Sequence, residues 1–185
     1  MPPITRITKE SIAEAALEIC RRGGFELLNA RAVAAELGCS TQPIFTSYSS
    51  MEELKAEVVG LAERMCESYV EGEVKRGEYP VYKASGMGYI AFAREESELF
   101  KILYMRDRTW DTRAQSTALW DKMMPVVKNN TGLDGDEGEL FHLEMWVVVH
   151  GIAAMIASGY MDIDTELASR MLTDTYLGLK RHFEG

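Results

Sequence analysis

The sequence predicts an all-α fold, and three observations carry that prediction. Apolar residues recur at spacings of three and four along nearly the whole chain, while no stretch shows the period of two that a half-buried strand requires. Ser, Thr, Asp or Asn repeatedly stands just before such a stretch, and glycine just after it. No internal repeat or low-complexity tract interrupts the pattern. With 185 residues and an apolar share of 46 %, the chain can bury an ordinary core, as one domain or as a small domain and a larger one.

The first helix is expected over about residues 8–22, with Thr8 as N-cap and Glu10 at the positive end of the helix dipole. Ile12, Ala15, Ala16, Ile19 and Cys20 share its inner face, and Gly23-Gly24 ends it. A short second helix follows the cap Asn29, turns Val33, Ala34 and Leu37 inward, and stops at Gly38. A third runs from about Ser40 to Ser47. The fourth opens on Ser50-Met51-Glu52-Glu53, read as a capping box, and continues through Leu54, Val58, Leu61, Met65, Cys66 and Tyr69 to about Arg76. Gly77-Glu78-Tyr79-Pro80 is the clearest break. Beyond it, helices are expected at about 80–95, 97–105, 112–129, 137–159 and 165–183. Residues 129–135 read as a turn, Asp136 with Glu139 as a cap pair, and Asp164 as the cap of the last helix.

Composition narrows the function classes. The opening Met1-Pro2-Pro3-Ile4-Thr5-Arg6 lacks the apolar core of a signal peptide, and no apolar run approaches the roughly 20 residues that cross a bilayer. A cytoplasmic chain without membrane association is therefore expected. Cys20, Cys39 and Cys66 form no CxxC pair and sit among apolar neighbours, which argues for buried free thiols rather than disulfides or a metal site. The sequence contains no HExxH, no glycine-rich phosphate loop, and no serine or cysteine with a convincing histidine partner. His142 and Glu144 stand two residues apart, on different helix faces, and the paired acids Glu95-Glu96 and Asp134 with Asp136 read as solvated surface or caps. Neither an enzyme nor a resident cofactor is expected. The net charge of −9 opposes nucleic-acid binding by sheer attraction. Residues 1–60 carry Arg6, Lys9, Arg21, Arg22, Arg31 and Lys55, but also Glu10, Glu14, Glu18, Glu26, Glu36, Glu52, Glu53 and Glu57. Any contact with DNA must come from local placement.

That placement is offered by residues 31–45. A helix-turn-helix needs a small residue where two helices touch, a glycine able to take positive φ, and apolar residues that pin the pair. Ala35, Gly38, and Val33 with Leu37 and Ile44 supply these in order. Ser40 would cap the second helix, whose first turn, Thr41 and Gln42, would face base edges; Gln42 can offer paired donor and acceptor groups to an adenine. Pro43 is tolerable there because the first turn has no intrahelical partner for the missing N–H, though it biases Gln42 away from helical geometry.

Residues 5 to 58 resemble the N-terminal domain of the TetR family of repressors. The resemblance rests on Arg22-Gly23-Gly24-Phe25, on Asn29-Ala30-Arg31-Ala32-Val33-Ala34, on Leu37-Gly38-Cys39-Ser40 and on Tyr48-Ser49-Ser50-Met51-Glu52-Glu53-Leu54. It implies an N-terminal three-helix DNA-binding domain at 1–50 and a C-terminal helical bundle for ligand binding and dimerisation at 51–185, joined by a connector helix at about 51–76. It also implies that Asn29 and Arg31 approach phosphates and that Ser40, Thr41 and Gln42 begin the recognition helix. Phe45 stands where a phosphate-contacting tyrosine is usual, and Thr46 and Tyr48 complete the candidate DNA-binding set. Ser47 replaces a common histidine and Met51 a usual lysine. Losing one phosphate hydrogen bond and one charge weakens binding by roughly 1–3 kcal/mol per half-site.

The second half is rich in Met, Tyr and Trp, side chains that line pockets for flat or irregular apolar molecules but also fill ordinary cores. The candidate effector-binding residues are Met65, Tyr69, Met87, Ile90, Phe100, Tyr104, Trp110, Met123, Trp146 and His150. The string Trp146-Val147-Val148-Val149-His150-Gly151 resembles the C-terminal domain of a TetR subgroup named for its tryptophan and histidine-glycine. Trp146 and His150 share a helix face, His150 is expected to be bonded inside the bundle, and Gly151 to admit a close neighbour helix. Apolar stripes at Val149, Ile152, Ala153, Ile156 and Tyr160, and at Met171, Leu172, Thr175, Tyr176 and Leu179, are the candidate dimer interface. The resemblance thus implies a homodimer, double-stranded DNA with a palindromic operator, and a small-molecule effector that releases it. The alternative is a helical small-molecule-binding protein with weak or lost DNA binding.

Overall fold

In the computed structural model the described residues are 7–106 and 118–184, and they form nine α-helices with no strand among them. These are α1 (Lys9–Leu27), α2 (Ala30–Glu36), α3 (Gln42–Ser47), α4 (Met51–Arg76), α5 (Val81–Glu95), α6 (Ser97–Tyr104), α7 (Ala118–Thr131), α8 (Gly135–Ala157) and α9 (Thr165–Glu184). Residues 112–117 of the seventh expected helix lie outside the described residues.

Local chemistry explains the helix boundaries, including those that differ from expectation. Thr8 caps α1, and its reciprocal partner is Ser11: each backbone N–H donates to the other's hydroxyl, at 3.0 and 3.1 Å. Gly23-Gly24 breaks α1 without ending it. Gly24 takes φ +67°, and another turn follows to Leu27. Ser50 caps α4 through the Glu53 N–H at 3.2 Å, but the Glu53 carboxylate does not return to Ser50. It accepts instead from the Ser49 N–H at 2.7 Å and hydroxyl at 2.8 Å, and pairs with Lys9 at 3.2 Å. Those bonds to Ser49, then the lysine, hold the Glu53 carboxyl down at about 2. The α7 helix runs through the expected turn to Thr131, its last turn bonded by Asn130 and Thr131 side chains to the Val126 and Val127 carbonyls. Asp134, not the Asp136–Glu139 pair, caps α8 by accepting from the Gly135 N–H at 2.9 Å. Asp164 caps α9 through Leu167 at 2.8 Å, as expected.

The described chain forms two compact units, one of residues 7–64 with 98–106 and one of residues 65–97 with 118–184. The division by motif at residue 50 therefore precedes the compact boundary, which falls within α4, and α6 packs with the first unit. In that unit α1, α2 and α3 pack mutually. Ile12, Ala16, Cys20, Val33, Ile44, Tyr48, Leu54 and Val58 are buried there. Burial pushes the Cys20 thiol up to about 12. Cys66 is buried as well, whereas Cys39 is only half-buried.

In the second unit α5 packs against α7, α8 and α9. A Cβ on Gly88 would lie 2.7 Å from the Val70 Cα, so α4 and α5 meet main chain to main chain. Val127, Phe141 and Met145 form a core covered by Tyr82, Leu133, Tyr176, Leu179 and Phe183. Contrary to expectation, Gly135–Ala157 is long and apolar enough by composition to cross a bilayer. Much of that apolar surface serves packing: Phe141, Met145, Val149, Ile152, Ala153 and Ala157 are buried. Glu96 takes the cap alternative rather than the solvated one. It is buried at the end of α5, with its N–H donating to the Phe92 carbonyl.

Candidate functional site

The α2–α3 pair is joined by a turn in which Gly38 takes φ +63°, a conformation that disfavours side chains. Asn29 caps α2, its Oδ1 accepting from the Arg31 and Ala32 N–H groups at 3.1 and 3.0 Å, while its amide donates to the Leu27 carbonyl. Asn29 is thereby occupied as a cap, although it remains exposed beside Arg31. The Arg31 guanidinium is exposed and makes no ion pair among the described residues. Ala35 is exposed and does not mediate the helix contact; Val33 and Ala34 are the buried residues of α2.

The start of α3 differs from expectation. Ser40 does not cap it. Thr41 is the N-cap residue, with helical φ −73° and ψ −12°, and its side chain makes no cap bond. Its carbonyl accepts instead from Ile44 and Phe45 at 3.2 and 3.4 Å, and Pro43 contributes no donor. Gln42, Phe45 and Thr46, at i, i+3 and i+4, are exposed on one face, while Ile44 is buried on the other. The Thr46 hydroxyl donates to the Gln42 carbonyl at 2.9 Å. Tyr48 is a correction to the candidate set: it is 2 % exposed, and its hydroxyl donates to the Lys9 carbonyl at 3.3 Å. With the Lys9 ammonium 4.6 Å from its ring, Tyr48 ties the end of α3 to the start of α1 rather than facing outward.

Charge on this unit is largely self-neutralised. Arg22 forks onto Glu36 at 2.5 and 3.3 Å, Arg21 pairs with Glu18 at 2.8 Å, and Lys9 pairs with Glu53. The Arg22 bond holds the Glu36 carboxyl below its usual range.

The candidate effector residues divide between the units. Phe100 and Tyr104, with ring centroids 5.0 Å apart, belong to the first. Met65, Tyr69, Met87, Ile90, Met123, Trp146 and His150 belong to the second, and Trp110 lies outside the described residues. Met87 and Ile90 are buried and fill core. Tyr69 stands edge-on to Phe92 at 5.7 Å and donates to Glu95 at 2.8 Å. The residues actually brought together are Trp146, His150 and Tyr89. The Tyr89 hydroxyl is 2.9 Å from His150 Nδ1, the Trp146 and His150 rings stack at 5.7 Å, and Tyr89 lies 4.9 Å from Trp146. A second pair repeats the motif, with the Tyr82 hydroxyl 2.8 Å from His142 Nδ1. Burial lowers both imidazoles, His142 to about 4, and raises the Tyr82 phenol. Each neutral ring, with one donor and one acceptor nitrogen, shares its Nδ1 hydrogen bond with a tyrosine hydroxyl. Neither Tyr89 nor Tyr82 was among the candidates; their separation by seven residues, two turns of α5, was the available signal.

The candidate dimer stripe needs the largest correction. Val149, Ile152, Ala153 and Leu172 are buried within the protomer and present no surface. Ile156, Met171, Thr175, Tyr176 and Leu179 are half-buried, Tyr176 packing edge-on to Phe141 at 5.6 Å. Tyr160 is exposed at 79 %. The outward apolar face of α8 is instead Leu140, Leu143, Val147 and Met155. Gly151 opens onto this face, with nothing within 4 Å of its Cβ position, so no helix among the described residues approaches it closely.

Comparison with known proteins agrees with this architecture. Residues 82–175 match the family model of the tetracyclin repressor-like C-terminal domain. An uncharacterized HTH-type transcriptional regulator of Mycobacterium tuberculosis is 24 % identical over 183 residues, covering 97 % of this chain and 83 % of that protein. A TetR-like transcriptional regulator from Rhodococcus sp. RHA1 superposes with a TM-score of 0.70 at 17 % identity, covering 99 % of this chain and all of that one. A second Rhodococcus sp. RHA1 protein, of unknown function, gives 0.80 at 19 % identity, with coverage of 97 % and 100 %. With a helix-turn-helix at its N-terminus and this C-terminal bundle, the chain belongs to the TetR family of transcriptional regulators.

Proposed function

We propose that the protein is a ligand-responsive repressor, a cytoplasmic homodimer that holds a palindromic operator and lets go when a small molecule binds. The observation that carries this reading is the α2–α3 turn, whose exposed Gln42, Phe45 and Thr46 share one face and are free to enter a major groove. Arg31, and Asn29 at the start of α2, stand ready for the flanking phosphates. Pairing supplies the second recognition helix, and the two must sit about 34–36 Å apart to reach successive grooves. The Leu140, Leu143, Val147 and Met155 face of α8 supports pairing, because so much exposed apolar surface on one helix favours a covered state. An effector binding near Trp146, His150 and Tyr89 with unequal affinity for the bound and released arrangements would shift their populations.

A gel shift on the gene's own upstream region, repeated over a range of salt, tests the reading. A retarded complex whose affinity falls steeply with salt is expected, and absence of any complex at low salt overturns it. Val147→Glu should convert the dimer to a monomer by sedimentation; an unchanged dimer mass would reject α8 as the pairing surface. A second reading, an effector-binding protein with weak or lost DNA binding, draws on the self-paired cations Lys9, Arg21 and Arg22. Effector-induced thermal stabilisation without DNA retention would favour it.

A further inference from the structure

We propose that α3 reads A·T pairs, with Phe45 packing against thymine 5-methyl groups and Gln42 bonding adenine; this rests on the DNA-binding reading above. Three observations converge. The exposed groups of α3 are one carboxamide, one phenyl ring and one threonine, and the threonine's donor is already spent on the Gln42 carbonyl. Neither α3 nor its flanks from Ser40 to Ser50 carry a charged residue. Arginine and lysine are the usual partners of guanine O6 and N7, and this segment offers neither. Finally, Phe45 is 56 % exposed and has no ring partner among the described residues.

Without the hydroxyl of the tyrosine usual at this position, the Phe45 ring cannot bond a phosphate, and within the major groove it meets two kinds of base-edge surface. One is the row of polar base edges, where a phenyl ring would strip water from N7, O6 and N4 groups without bonding them. The other is the thymine methyl, the apolar group that base edges present in that groove. Phe45 is one helical turn from Gln42, so a ring on a thymine places the carboxamide over a base pair nearby. The chemistry of the face therefore selects thymine beside adenine, and disfavours G·C pairs at the centre of each half-site.

The test begins with selection from a random duplex library at low salt, followed by synthesis of the enriched site with deoxyuridine replacing thymidine. Burial of one methyl corresponds to about a fourfold change in affinity, so each contacted thymine should lose about that factor on demethylation. Phe45→Ala should bring the thymine-to-uracil ratio to about one. Because Phe45 is exposed, that variant should melt with the wild type. Gln42→Ala should relax the adenine preference and leave the thymine-to-uracil ratio in place. A selected site bound equally well with uracil, or a G·C-centred site, overturns this inference while leaving DNA binding intact. Failure to retain any sequence overturns the regulator reading along with it.

Discussion

Replacing Gly88 by alanine would place a methyl carbon 2.7 Å from the Val70 Cα and 2.8 Å from the Tyr69 carbonyl oxygen. Carbon atoms rest at about 3.5–4.0 Å, so α4 and α5 must part by roughly 1 Å along this stretch. Both opposing atoms are main chain, and neither can rotate away. Overpacking costs about 1–3 kcal/mol where side chains can yield, which puts this rigid contact near 3 kcal/mol. Alanine regains about 1 kcal/mol over glycine in a helix interior, leaving a net loss of about 2 kcal/mol. Gly72→Ala is the matched control, since Gly72 also lies inside a helix and its Cβ position has nothing within 4 Å. The propensity gain cancels between the variants, and the remaining difference is about 3 kcal/mol. Urea unfolding followed by circular dichroism, at one fixed protein concentration, reads it directly. A Gly88→Ala protein as stable as Gly72→Ala would refute the main-chain contact.

Acid should weaken the fold before the carboxylates titrate. Burial holds His142 at about 4 against 6.5 for a free imidazole, so the unfolded chain takes the proton first. The contribution is complete above pH 6.5 and is lost as pH falls toward 4, at up to about 1.4 kcal/mol per pH unit and about 3 kcal/mol in all. His150, also lowered by burial, acts in the same direction. Urea midpoints should fall from neutrality to about pH 5, and His142→Gln, which keeps an acceptor for Tyr82, should flatten the slope; identical slopes would contradict the assignment. Asn29→Ala removes the acceptor of two N–H groups at the start of α2 and should cost about 1–2 kcal/mol, measured as a lower melting point together with weaker DNA retention.

The helical fold was legible because helix periodicity and caps are local. Thr8, Asn29 and Asp164 cap as read, each bonding a donor two or three residues on. Ser40, Asp136 and the Glu53 return bond were misread for one reason: several polar side chains crowd each boundary, and backbone dihedrals choose among them. At α3 the choice went to Thr41, whose ψ of −12° lets its carbonyl, not its hydroxyl, open the helix. In the candidate DNA face, Gln42 followed from the helix-turn-helix pattern, while Phe45 and Thr46 followed from the family resemblance. The burial of Tyr48 followed from neither, because a phenol can satisfy its one hydroxyl inside a core, and sequence does not say which carbonyl waits there. The dimer stripe failed on α8, where nearly every face is apolar and periodicity loses its phase. Val149 and Val147 look alike in sequence, yet one is buried and the other is 62 % exposed. The close helix approach expected at Gly151 occurs at Gly88 instead, in a Gly86-Met87-Gly88 string that passes for ordinary helix interior.

The small-residue face of α5 limits how the helices around it can rearrange. Ala84, Gly88 and Ala91 recur along one face of the helix, and at Gly88 the α4 main chain settles close to its axis. Contact of that kind is nearly incompressible. On the proposed effector reading, room for a ligand beside Trp146 and His150 comes from side chains of α8 rather than from a shift of α5. On that same reading, a change of ligand would fall on Trp146 or His150, while the small residues at 86 and 88 stay.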